Sequence, residues 1–236
     1  MQSSLAATTP PTDLHTVYVD TNIFHYLAIG PPKEQGLKGP LAELIKAAEN
    51  DLIVCVTSII ALAEEYDIHK GRAFVRREMD RGNINWTHYG VAVRSSGAAE
   101  PLDPKARRRA VRIVSQGLRT SFVRLQDPPA WPTDLIDLLC RSSNFHWPDA
   151  LHLAIALAMR CDYLLTNDKQ FYDEIVQGLT TESGPLHRPV AWTLASVYGL
   201  PQERLQPPLI QPLLLRDSAT STVIASLAGP PDSPVS

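Results

Sequence analysis

Three short apolar runs, VYV at residues 17–19, LIVCV at 52–56 and YLLT at 163–166, are each flanked by stretches of helical periodicity. Runs that are apolar on both faces and rich in β-branched residues suit strands covered by helices on both sides, the arrangement of a parallel sheet. Strands alternating with helices predict an α/β class chain with three layers, α/β/α, around a central, mostly parallel sheet. Four acids occupy matching places in that scheme. Asp20 follows VYV, Glu64 lies in the helix after LIVCVTS, Asp149 opens the helix PDALHLAIALAM, and Asp168 follows YLLTN. In a parallel sheet all four fall at one edge, outside the carboxyl ends of the strands, where open α/β folds place their ligands.

Carboxylates brought close together repel and raise one another's pKa unless a cation stands among them. Hard divalent ions such as Mg²⁺ take oxygen ligands, keep several waters and combine one or two carboxylates with phosphate oxygens. The pattern therefore points to Mg²⁺, or Mn²⁺, and to phosphate chemistry. Each acid also has an ordinary explanation. Asp20 suits a helix cap, Glu64 or its neighbour Glu65 a solvated helix face, Asp149 a first helical turn, and Asp168 a turn. Their shared topological position carries the reading, and Asp162, which precedes its strand, belongs at the opposite sheet edge. His146 and His152 flank Asp149 at i−3 and i+3 but lack the cysteine or HExxH companions of a zinc site.

The remaining strand is expected in RPVAW at 188–192, and short helices at 40–49 and in DKQFYDEIVQ. In IIALAEEYDIHK, Ile59, Leu62, Ala63 and Tyr66 are expected inward, capped by Thr57 or Ser58. Net charge is −3, yet residues 67–125 hold 13 Lys and Arg against 5 acids. Within this Arg-rich segment, PKARRRAVRIVSQGLRTSFVRL predicts a helix carrying Arg108, Arg112 and Arg119 along one face, with Val111, Val114, Leu118 and Phe122 turned elsewhere. Such a face suits nucleic-acid backbone, whose phosphates bind Lys and Arg with release of counterions. Cys55, Cys140 and Cys161 form no CxxC pair and are expected as free thiols. The start, MQSSLAATTPPTDLH, has no basic or apolar leader, and no run approaches the roughly 18 apolar residues of a membrane span. A soluble, cytoplasmic protein is expected. The domain reading is a flexible N-terminus at 1–15, one α/β domain at 16–200 with a basic helical insertion at 71–132, and a Pro-rich mobile tail at 201–236.

The segments VYVDTNIF, VTSIIALAEEY, PDALHLAIALAM and YLLTNDKQF together resemble the PIN-domain nucleases, most of all the VapC-like ribonuclease toxins. Carried over residue by residue, the likeness implies metal-binding, catalytic acids at Asp20, Glu64, Asp149 and Asp168, with Asn22 and Thr166 as polar helpers. It favours Glu64 over Glu65. It covers roughly residues 16–70 and 133–195, and neither the Arg-rich segment nor the tail. The implied activity is a Mg²⁺- or Mn²⁺-dependent endoribonuclease leaving 5'-phosphate and 3'-hydroxyl ends, with RNA, an antitoxin protein and a second copy of the chain as implied partners. The competing reading is a non-catalytic PIN-like module that binds RNA or protein.

Overall fold

The computed structural model describes residues 14–31, 36–81, 104–120, 122–142 and 145–227. The leading residues 1–13, the glycine- and serine-containing stretch at 82–103 and the last residues 228–236 lie outside them, and with them parts of the expected N-terminus, insertion and tail. Five strands, β1 (His15–Val19), β2 (Ile53–Thr57), β3 (Val123–Leu125), β4 (Tyr163–Thr166) and β5 (Gln211–Leu214), pair in the order β3-β2-β1-β4-β5. All four pairings are parallel, with Tyr18 opposite Val56 on one side and Leu164 on the other. The chain winds outward from β1 to β3 and then returns to β4 and β5. The strand order thus reverses between β1 and β4, and a crevice opens at their carboxyl ends.

Alternation along the strands divides the core in two. Val17, Val19, Ile53, Cys55 and Leu165 pack with α1 (Thr21–Ile29), α2 (Lys38–Glu49) and α9 (Ser218–Leu227), through Ile23, Leu41, Leu44 and Ile224. Tyr18, Val54, Val56 and Leu164 pack with α5 (Thr133–Ser142), α6 (Trp147–Ala158), α7 (Lys169–Leu179) and α8 (His187–Ser196). The fold is therefore three-layered, α/β/α. No helix among the described residues is long and apolar enough to cross a membrane. All three cysteines are free, and burial pushes the Cys55 thiol up to about 12.

Several expectations need correction. RPVAW is helical, inside α8: His187, Val190, Thr193 and Leu194 are buried at helical spacing, and Pro189 sits in the first turns, where a missing N–H costs little. Residues 202–227, read as mobile tail, form a 3₁₀ turn, strand β5 and helix α9, and Leu213, Leu214, Leu215 and Ile224 are buried. Edge position reconciles Pro212 with a strand, since an edge strand has a free side for the residue that cannot donate. FVRL ends in β3 rather than in the basic helix, after Phe122 at φ 55.

In α3 (Ile59–Asp80) the inward face is Ala61, Leu62 and Glu65, whereas Ile59 is 46% exposed and Ala63 is exposed. Asp127, from the loop after β3, accepts the Ile59 amide at 3.0 Å in place of the expected Thr57 or Ser58 cap. Helix α4 (Pro104–Thr120) presents Arg108, Arg112 and Arg119 to solvent, but Val111 is exposed as well, and Ala110 and Gly117 form the buried contact. A Cβ on Gly117 would stand 2.6 Å from the Ala28 Cβ and 3.0 Å from the Phe24 ring. Gly117→Ala is thus expected to push α4 off α1 and cost about 1–3 kcal/mol. Denaturant unfolding would read the loss, and unchanged stability would place the helices farther apart.

Candidate active site

The end of β1 turns directly into α1, and Asp20 caps that helix. Its Oδ1 accepts the Ile23 amide at 3.1 Å and its Oδ2 accepts Nδ2 of Asn22 at 2.8 Å. Asn22 in turn ties β1 to β4. Its Oδ1 accepts the Asn167 amide at 2.8 Å, and its Nδ2 also reaches the Thr166 hydroxyl at 3.4 Å. Thr166 accepts the Asp168 amide at 2.9 Å. Asp168 then caps α7, with Oδ1 taking the amides of Gln170 at 2.8 Å and Phe171 at 3.2 Å. Asp20 and Asp168 are both helix caps, the ordinary explanation for such acids, and both stand at the crevice where the strand order reverses.

The other two acids come from helices that begin at the same sheet edge. Glu64, one turn into α3, accepts the Thr21 hydroxyl and, at 2.9 Å, Nε2 of His152 on α6. With Nε2–H given to Glu64, Nδ1 of His152 accepts the Tyr18 hydroxyl at 2.7 Å, and Tyr18 takes the Ser58 hydroxyl at 2.9 Å. Burial keeps the Tyr18 phenol well above its ordinary pKa, so it remains a donor. Asp149 lies half-buried in the first turn of α6, three residues before His152.

Burial pushes Asp20 up to about 6, against the Thr166, Ile23 and Asn22 bonds and the nearby His152. Burial together with the charge of Asp168 pushes Asp149 up to about 6. Burial would raise Glu64 also, but the His152 and Thr21 bonds outweigh it and hold that carboxyl below its usual value. His152 thus bonds Glu64 and lies near Asp20 and Asp149, while the charge of Asp168 acts on Asp149. Asp20 and Asp168 stand at the ends of the adjacent strands β1 and β4, and the Glu64 bond to His152 reaches the helix that carries Asp149. Among the described residues, no three of the four acids bring oxygens within 4.8 Å of one another, so these acids form no closed cage. An all-oxygen, open donor set with two carboxyls pushed upward suits a hard divalent ion that retains water.

The PIN domain family model matches residues 17–174, a stretch that contains all four acids. The chain belongs to the PIN domain family. PIN domains are typically metal-dependent nucleases acting on nucleic acids. No curated protein matches the chain. In this PIN domain, sequence reasoning does not reveal Thr21 and His152 as hydrogen-bond partners of Glu64, or Tyr18 as the partner of His152. His152 carries a signal, its place three residues after Asp149, but that spacing suggests a zinc ligand and not a support for Glu64. Arg216, beyond β5, donates to the Asn167 side-chain oxygen at 3.2 Å and to the Asn167 carbonyl, bracing the loop that carries Asp168. It stands in the stretch read as tail.

Proposed function

We propose that this PIN domain is a Mg²⁺- or Mn²⁺-dependent endoribonuclease of VapC-like type, cleaving RNA to 5'-phosphate and 3'-hydroxyl ends. One observation supports the reading: a buried carboxyl, Asp20, stands where the strand order reverses, with Asp168 at the end of the adjacent strand and Glu64 bonded to His152 of the helix that carries Asp149. That arrangement is unfavourable until a cation compensates it. Asp20, Glu64, Asp149 and Asp168 would hold the ion, which would activate water and stabilise charge on the phosphate. Asn22 and Thr166 keep Asp20 and the Asp168 loop in register, and His152 with Thr21 orients Glu64. The VapC likeness extends the proposal to a toxin that acts in the cytoplasm, with an antitoxin protein as partner.

Purified protein incubated with single-stranded and structured RNA, with Mg²⁺, Mn²⁺ or chelator, tests the proposal. Cleavage confined to the metal arms, with ends mapped as 5'-phosphate and 3'-hydroxyl, is expected. RNA bound but left intact in every arm would instead indicate a binding module.

The exposed guanidinium groups of Arg108, Arg112 and Arg119 on α4 are the proposed contacts to the RNA backbone. Charge reversal of Arg108 and Arg112 is expected to weaken RNA binding and to flatten its salt dependence, each lost phosphate contact lowering the logarithmic slope by about 0.7 on single strands. An unchanged slope in a binding titration over salt would assign these arginines to a solvated face.

A further inference from the structure

Glu64 and Glu65 are consecutive on α3, yet they serve different places. Glu64 faces His152 and Thr21, whereas Glu65, with no exposed surface, faces His25 of α1 and His69 one turn farther along α3. Nδ1 of His25 lies 2.7 and 2.8 Å from the two Glu65 oxygens, and Nε2 of His69 lies 2.7 Å from one of them. The three donor atoms all fall within 4.8 Å of one another. The two imidazole rings stand 5.7 Å apart at 37°, and their side chains keep 11% and 12% of their surface, leaving water a route to the group.

We propose that His25, Glu65 and His69 form a second metal site, separate from the four acids, for a late first-row divalent ion such as Zn²⁺. The donor chemistry separates the two. Two imidazole nitrogens and one carboxylate are a zinc-type set, with water as the fourth ligand, while Mg²⁺ prefers oxygen throughout. Tetrahedral bonds of about 2.0–2.2 Å hold donors roughly 3.3–3.6 Å apart, so the 2.7 Å contacts open by roughly 0.6–0.9 Å, within the 4.8 Å spread of the three atoms.

In the metal-free form the same side chains satisfy one another. His25 Nδ1–H and His69 Nε2–H donate to Glu65, and Arg72 donates to Nε2 of His25 at 3.2 Å. In that arrangement each ring places a proton on the nitrogen that would bind the metal. On metal binding that proton passes to the other ring nitrogen, so nothing is released, and Arg72, which is exposed, turns away from the new Nε2–H. A bound ion would join α1, which follows Asp20, to α3, which carries Glu64. The proposal does not depend on the nuclease reading.

The test uses full-length protein stripped with chelator and then dialysed against micromolar Zn²⁺ in millimolar Mg²⁺. Metal content and Co²⁺ visible absorption are read alongside circular dichroism. About one zinc per chain is expected in wild type and in the Asp20→Asn and Asp149→Asn variants, with at least about tenfold weaker affinity in folded His69→Gln or His25→Gln. Co²⁺ is expected to give the intense bands of a four- or five-coordinate site, which decides the matter on wild type alone should both histidine variants unfold. Wild type that retains no zinc, histidine variants of unchanged affinity, or zinc lost from the aspartate variants would each overturn the proposal. The first two outcomes would leave the group as a hydrogen-bonded clamp, and the third would return the ion to the four acids.

Discussion

Asp20→Asn is expected to abolish metal-dependent RNA cleavage while leaving the fold in place. Asparagine caps a helix about as well as aspartate, and its side-chain oxygen can still take the Ile23 amide that Asp20 accepts at 3.1 Å. What is lost is a negative charge buried at the strand-order reversal, the charge proposed to hold a divalent ion. Loss of an outer-shell partner typically costs roughly 10–100-fold in metal affinity or activity, so removal of the charge itself should exceed that range. Asp149→Asn should behave alike. It gives up roughly 0.3–1 kcal/mol of helix-dipole interaction and gains relief from Asp168, so its stability should move little. Initial rates on labelled RNA, paired with thermal unfolding, measure both effects. A variant that unfolds normally and cuts at the wild-type rate removes its acid from the site.

Raising the pH from about 5 to 8 in the presence of chelator is expected to destabilise the protein. Asp20 and Asp149 both titrate near 6 in the folded chain, above the unfolded value near 4. Such groups contribute stability that is complete below the unfolded pKa and is lost as the pH rises through the folded one. Glu64, held low, and Glu65, held at about 2, act in the opposite sense, but their contribution is complete above about 4.5 and falls away only below it. Between 5 and 8 the aspartates decide the slope. At about 1.4 kcal/mol per pKa unit, Asp20 alone accounts for something on the order of 2–3 kcal/mol. Millimolar Mg²⁺ should restore stability at pH 8 and do little at pH 5, where protons occupy the oxygens the ion needs. Thermal melts across this range, with and without Mg²⁺, read the effect. A metal-free profile that rises with pH would contradict the raised carboxyls.

The three central strands were legible because burial on both faces leaves an unbroken apolar run, as in LIVCV. From those strands alone the positions of Asp20 and Asp168 followed. The edge strands were not legible for a physical reason. β3 has three residues, one of them buried, and β5 begins Gln-Pro, so neither has the signature of a strand enclosed by helices. RPVAW misled in the opposite direction, because a short apolar run looks alike in both periodicities and the helical spacing of Val190 and Leu194 emerges only over a longer window. α3 misled for a third reason. Hydrophobic spacing places acids outside, yet Glu65 is enclosed because His25 and His69 satisfy it, and no rule applied to α3 alone can reveal a partner on α1. His152 is the same lesson beside the four acids: a core-facing histidine on an apolar helix, whose role depends on Tyr18 and Glu64 arriving from remote segments.

The family match ends at residue 174, short of the strand that completes the sheet at Gln211–Leu214. A fragment trimmed to that boundary would leave the backbone donors and acceptors of Tyr163–Thr166 bare along one side, a template for pairing with other chains. It would also free Asn167 from Arg216. Anyone dissecting this PIN domain into a minimal unit would thus keep the polypeptide through at least Leu227, the last residue of the helix that follows β5 and packs on α2.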